Sequence, residues 1–199
     1  MKSSEPILII SGSPRQQSQS RKVSGVIERS LAGFGIEAVL LDLSLLPLPV
    51  AGIDSIDHAT SVDTLKSMAS SASAIVLICP EWGGMAPASI KNALLLLTDG
   101  EIAHKPILIV SVSSGAGGAY PIAELRAFSA KNAHAFYIPH HVIVRDVEKL
   151  FLGLDKSEED IRIEKRLLAS IEELITYAEA LQPHRGKLNM FRQRYLYGM

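Results

Sequence analysis

Residues 11–21 read Ser11-Gly12-Ser13-Pro14-Arg15-Gln16-Gln17-Ser18-Gln19-Ser20-Arg21, a run of hydroxyls and guanidinium groups between an apolar segment and one of helical period. A phosphate needs several donors converging on it. A loop entering a helix N-terminus supplies unpaired backbone N–H groups and the positive end of the helix dipole. Gly12 permits a close turn, the hydroxyls of Ser13, Ser18 and Ser20 add donors, and Arg15 offers a charged fork. Hydrogen bonds to a charged group contribute about 1.5–3 kcal/mol each, so a few of them retain a mononucleotide by its terminal phosphate. A dinucleotide loop fits less well, because Gly12 has no G-x-G-x-x-G companions and Arg15 stands where a pyrophosphate would approach. Gly-Lys-Ser/Thr, the mark of a Walker loop, is absent. Asp42, at the end of the second strand, could meet a ribose, yet a lone Asp is usually a cap or turn residue.

Two more loops follow apolar runs: Cys79-Pro80-Glu81-Trp82-Gly83-Gly84-Met85-Ala86-Pro87 and Ser111-Val112-Ser113-Ser114-Gly115-Ala116-Gly117-Gly118. A flat ring system needs an apolar wall and backbone donors at its polar edge. Trp82 and Met85 supply the first, and the glycines let the main chain come close for the second. Cys79 ends an apolar run and reads as a small buried hydrophobe rather than a redox thiol. His134, His140 and His141 lack a carboxylate or cysteine at ligand spacing, so no metal site is expected. No G-x-S-x-G elbow marks a hydrolase.

These loops need a scaffold that brings them together. Short β-branched runs alternate with longer segments of helical period, the signature of βα units and a parallel sheet. Strands are expected over 7–11, 37–43, 74–80, 106–113 and 134–144. The first, third and fourth are nearly uniformly apolar and belong in the centre of the sheet, while the second and fifth belong nearer its edges. Pro139 supports an edge position for the fifth. Helices are expected over 18–31, 61–71, 88–97, 119–131 and 158–181. The last is capped by Ser157 and carries an apolar stripe of Ile161, Leu168, Ile171, Leu174 and Ile175. Residues 47–57 read as a loop and 182–199 as a tail after the domain of residues 1–181. All three loops then fall at the carboxyl ends of parallel strands, where open α/β sheets bind ligands.

The 199 residues suffice for one domain, and a formal net charge of −1 argues against a nucleic-acid partner and against an acidic electron carrier that docks proteins by steering. Arg185, Lys187, Arg192 and Arg194, interleaved with Phe191, Tyr195 and Tyr197 in the tail, are too few to change that; they read as an extension packing on this chain or a neighbour. A single cysteine agrees with a reducing cytoplasm. Neither an export signal nor an apolar run near the roughly 20 residues of a membrane span is expected.

The three loops, in this order and spacing, resemble the NADPH-dependent FMN reductase family of quinone, chromate and azo-dye reductases. Gly12-Ser13-Pro14-Arg15 with Ser18, Ser20 and Arg21 resembles its phosphate loop. Pro80-Glu81-Trp82-Gly83-Gly84-Met85, followed by Pro87 and Lys91-Asn92-Ala93-Leu94, resembles its P-E-[YW]-N loop and the helix after it, with Gly83 where the family usually has Asn. Ser113-Ser114-Gly115 with Gly117-Gly118 resembles the loop that touches the flavin ring, about a residue shorter. The resemblance implies a flavodoxin-like three-layer α/β/α sandwich with a five-stranded parallel sheet in the order 2-1-3-4-5. It implies FMN held by Ser13, Arg15, Ser18, Ser20, Arg21, Pro80, Glu81, Trp82, Gly83, Gly84, Met85, Ser113, Ser114, Gly115 and Gly118, with NADPH or NADH as electron donor and a small molecule as acceptor. No catalytic side chain is required, since the cofactor carries the redox chemistry. A cytoplasmic homodimer or homotetramer is implied as well.

Overall fold

A computed structural model describes residues 5–53, 59–153 and 155–194. Five strands, β1 (Ile7–Ser11), β2 (Ala38–Asp42), β3 (Ala74–Pro80), β4 (Pro106–Val112) and β5 (Phe136–Val144), alternate with α1 (Gln19–Gly33), α2 (Ala59–Ser71), α3 (Ala88–Leu96), α4 (Ala119–Phe128) and α5 (Glu158–Leu181). All strand pairs are parallel, in the order β2-β1-β3-β4-β5. The flavodoxin-like architecture expected from sequence is the one observed.

Alternation along the central strands divides the core. Ile7, Ile9, Val76, Ile78, Leu108 and Val110 face α1 and α5, whereas Leu8, Ile10, Ile75, Leu77, Ile107 and Ile109 face α2, α3 and α4. Both faces are covered, so β1, β3 and β4 are buried at every position, which is why their sequences show no polar alternation. On β5 the register slips between Ile107 and Ile109, opposite Tyr137 and His141, so the strand bulges at Pro139. Arg126 of α4 donates to the carbonyls of Ile138 and Pro139 in that bulge at 2.6 and 2.9 Å, offsetting the lost ladder bonds.

One expectation changes. The buried stripe of α5 is Ile163, Leu167, Ile171, Leu174 and Ala178; Ile161 and Leu168 are 42% and 40% exposed. The positions 163, 167, 171, 174 and 178 recur at helical spacing and fix the true phase. The described part of the tail packs on its own chain, one of the two placements expected for it. Gln182–His184 is a turn of 3₁₀ helix leading into α6 (Arg185–Arg194). That helix docks on its own chain, where Arg185 meets Glu5 at 3.2 Å and Arg192 donates to the Asp99 carbonyl at 2.7 Å. Tyr195 and Tyr197 lie outside the described residues, as do residues 54–57 of the expected 47–57 loop. Among the described residues no helix is long and apolar enough to cross a membrane.

Candidate functional site

The loop after β1 is anchored before it is a site. Gly12 N–H donates to the Ile78 carbonyl at 2.9 Å, and Ser89 Oγ of α3 donates to the Gly12 carbonyl at 2.7 Å. A Cβ here would lie 2.1 Å from Ile90 Cδ1 and 2.6 Å from the Ile78 carbonyl oxygen, so only glycine fits. Ser18 caps α1 by accepting Arg21 N–H at 3.2 Å, which leaves its hydroxyl proton for a ligand. Ser13 Oγ accepts Arg15 N–H at 3.2 Å in the same way. Ser20, only 1% exposed, has a hydroxyl with no protein partner, and the side-chain oxygen of Gln19 is likewise unpaired. Buried polar groups normally find partners. These two lie at the first turn of α1 and line a cleft of about 620 Å³, within the usual range for small-ligand sites.

The loop after β3 is a tight hairpin. Trp82 and Met85 exchange backbone hydrogen bonds at 3.0 Å in both directions, with Gly83 and Gly84 at φ +55° and +74°. Positive φ at both central residues defines the turn whose twist suits a two-residue hairpin. The exposed Trp82 ring carries the Arg15 guanidinium 4.5 Å from its centroid, a cation–π contact between the first and second loops.

The loop after β4 is set by Glu81. Its carboxylate accepts Gly118 N–H at 2.5 Å, and a Cβ on Gly117 would lie 2.5 Å from Glu81 Oε1. Gly118 itself, at φ +101°, would drive a Cβ to 2.4 Å from Ile143. The glycines thus let the second and third loops close on one carboxylate, and Glu81, on the cleft wall, bridges the two loops. A second carboxylate braces the hairpin from α4. Glu124 accepts Ala86 N–H at 2.8 Å and Lys91 Nζ at 2.9 Å, contacts that hold it below the usual carboxylate range. Asn92 is also structural, donating to the Pro49 carbonyl at 2.8 Å and accepting Ala51 N–H at 2.8 Å.

Of the residues singled out in the sequence, Ser13, Arg15, Ser18, Ser20, Pro80, Glu81, Trp82, Gly83 and Ser114 share the cleft wall. Gly84, Met85, Ser113, Gly115 and Gly118 shape its loops from outside the lining. Arg21 departs: its guanidinium pairs with Glu28 at 3.4 Å and lies 4.0 Å from Asp42 along the flank of α1. Asp42 accepts Ser44 N–H at 2.9 Å, as a turn residue does. Gln16, Gln17, Gln19, Val112, Val147 and Glu148 also line the cleft without having been singled out. The glutamines lie inside a loop already marked. Val147 and Glu148 follow β5, whose carboxyl end must reach the same sheet edge, and that topological fact was the available signal.

Cys79 is buried, and burial pushes its thiol up so that it stays protonated and inert. His140 has a carboxylate neighbour that sequence spacing hid, Glu173 of α5. Among the described residues no three His, Cys, Asp or Glu side chains converge in a way that could hold a metal ion.

The chain is similar to known proteins. Over 139 residues the chain is 28% identical to the NADPH azoreductase of Bacillus sp. (strain OY1-2), covering 69% of this chain and 75% of that protein. It is 24% identical over 182 residues to the FMN-dependent NADPH-azoreductase of Staphylococcus saprophyticus, covering 86% of this chain and 94% of the relative. The solved structure of FerB, a flavoenzyme NAD(P)H:(acceptor) oxidoreductase from Paracoccus denitrificans, shares the fold with a TM-score of 0.70 at 24% identity, covering 88% of this chain and 98% of that one. The model of the NADPH-dependent FMN reductases matches residues 6–149, a span that holds all five strands and every loop of the cleft, and the chain belongs to that family.

Proposed function

We propose that the chain is an FMN-dependent NAD(P)H oxidoreductase that passes electrons to a small acceptor such as a free flavin, a quinone, an azo compound or a metal oxyanion. The observation that carries this reading is the buried, unpartnered Ser20 hydroxyl at the N-terminal turn of α1, facing a cleft of mononucleotide size. Ser13, Ser18, Ser20 and the free N–H groups of α1 would hold the phosphate. Arg15, whose guanidinium lies over Trp82, would close over it. The Trp82-Gly83 turn and Ser114 would border the ring, with Glu81 fixing their spacing through Gly118. Bound FMN would supply the hydride acceptance and donation; the chain supplies grip, orientation and an open face. The test is equilibrium dialysis against FMN followed by steady-state NADPH consumption with a quinone. Retained FMN with turnover supports the reading; retained FMN without NADPH oxidation makes the chain an electron carrier; no FMN uptake sinks the reading.

The acceptor meets the cleft without a nucleic acid or a membrane. A homodimer fits a second hollow of about 540 Å³ between α3 and α4, lined by Leu94, Leu95, Leu125 and Phe128. Leu95 and Phe128 are 63% and 86% exposed there, and a second copy covering them would bury that apolar surface. Residues 1–181 form the FMN-binding domain in this reading and 182–199 its extension, in a cytoplasmic enzyme whose lone thiol needs no oxidising compartment.

A further inference from the structure

One wall of the cleft comes from neither the phosphate loop nor the two ring loops. Residues 145–151, between β5 and α5, turn back along the carboxyl edge with Asp146 and Phe151 at φ +46° and +56°, and place Val147 and Glu148 in the lining. This turn is stitched to the third loop. Val147 N–H donates to the Ser113 carbonyl and Asp146 N–H to that of Gly115, both at 3.2 Å. Arg145 Nε donates to the carbonyls of Ala116 and Gly117 at 2.7 and 2.9 Å. From α5, Asp160 accepts Phe151 N–H at 2.8 Å.

The other side of the turn is held by a single residue of α1. Lys22 Nζ donates to the carbonyls of Val147 and Leu150, each at 2.7 Å. Its own N–H closes on the carbonyl of the cap residue Ser18 at 3.1 Å, so Lys22 completes the helical turn whose Gln19 and Ser20 line the cleft. A compact ammonium on a long stem suits two converging carbonyls. Burial disfavours the charge, and Asp160 and Glu148 nearby favour it.

We propose that Lys22 is a positioning residue of the cofactor site: by tying α1 to the 145–151 turn, it holds the ring-facing loop 113–118 at the distance from the phosphate loop that one mononucleotide spans. The inference rests on the FMN reading above. It makes grip on the phosphate and placement of the ring interdependent through a side chain that touches neither.

Lys22→Met keeps the stem and removes the donors; Lys22→Arg keeps donors. In the full chain, FMN affinity is read by quenching of flavin fluorescence, ring placement by the visible circular dichroism of bound FMN, and loop order by amide exchange at 113–118 in the FMN-free protein. Lys22→Met is expected to weaken FMN binding by at least about tenfold, to change the visible dichroism and to speed exchange of the loop, with Lys22→Arg within about threefold of the parent. A Lys22→Met protein that binds FMN within about threefold, with unchanged dichroism, overturns the proposal. If Lys22→Met does not fold, Arg145→Leu cuts the same route at an exposed position. At least threefold weaker binding with altered dichroism supports the proposal, and parental values for both overturn it. A parent chain that takes up no FMN sinks the proposed function and this inference with it, whereas a binding parent and an unaffected variant sink the inference alone.

Discussion

The Trp82-Met85 turn permits a calculation that separates backbone cost from ligand contact. Gly83 sits at φ +55°, and a Cβ there meets nothing nearer than Met85 Cε at 3.9 Å. A side chain at this position is therefore resisted by conformation and not by space. A left-handed backbone costs an ordinary residue about 1–2 kcal/mol, while loss of glycine's freedom in the unfolded chain offsets about 0.4–1 kcal/mol of that. Gly83→Ala should destabilise the chain by about 0–1.6 kcal/mol on those figures, centred near 0.8 kcal/mol. Asparagine tolerates the left-handed region and precedes glycine in favoured two-residue turns, so Gly83→Asn should be neutral within about 0.5 kcal/mol. Urea denaturation of the FMN-free protein reads the difference as a displaced midpoint at constant slope. The same variants report on the ligand. An added side-chain amide bonded to the flavin or its ribityl chain contributes about 0.5–1.5 kcal/mol, or roughly 2- to 12-fold tighter FMN for Gly83→Asn and no gain for Gly83→Ala. Equal destabilisation of the two variants would refute the turn argument, and equal FMN affinities would place the hairpin away from the ring.

Other perturbations reach the remaining parts of the site. Arg15→Ala removes a charged donor and should weaken FMN binding by roughly 10- to 150-fold in a fluorescence titration; an unchanged dissociation constant would leave Arg15 as a partner of Trp82 alone. Gly12→Ala drives a methyl against Ile90 and the Ile78 carbonyl, and overpacking of about 1–3 kcal/mol should lower the melting temperature by roughly 2–12 °C. A parental melting curve would show that the β1 and β3 backbones separate easily there. Asp160 is 5% exposed. Burial alone would raise its carboxyl, but N–H donors from Phe151 and Ser157, the Ser157 hydroxyl and Lys22 hold it below the ordinary range. Its folded pKa being the lower one, its contribution is present above about pH 4 and is lost as pH falls through the folded value. The stability gap between the parent and Asp160→Asn, about 1–3 kcal/mol at neutral pH, should shrink below about pH 4; a gap independent of pH would remove the carboxylate from the account.

Local physics made much of this legible in advance. β1, β3 and β4 announce themselves because strands covered on both faces must be apolar throughout, and their carboxyl ends then place three loops on one edge. Ser157 announces a helix start because a hydroxyl at that position satisfies free N–H groups. What stayed hidden depends on partners distant in sequence. Glu81 reads only as a ligand contact until Gly118, far along the chain, is seen to donate to its carboxylate as well. Arg21 reads as a phosphate donor beside Ser20 until Glu28 and Asp42 are seen to draw it to the flank. Helix α6 gave too weak a periodic signal against its basic composition, and the 145–151 turn offers no motif; both acquire their places through tertiary contacts.

The central claim is that FMN bound between the α1 turn and the Trp82 hairpin takes electrons from a nicotinamide. An absorbance spectrum of the purified, FMN-loaded chain before and after anaerobic addition of NADPH tests it most directly. Bound flavin bands that bleach within turnover time and return when a quinone is added are the expected result; bands that persist under excess NADPH would contradict the account.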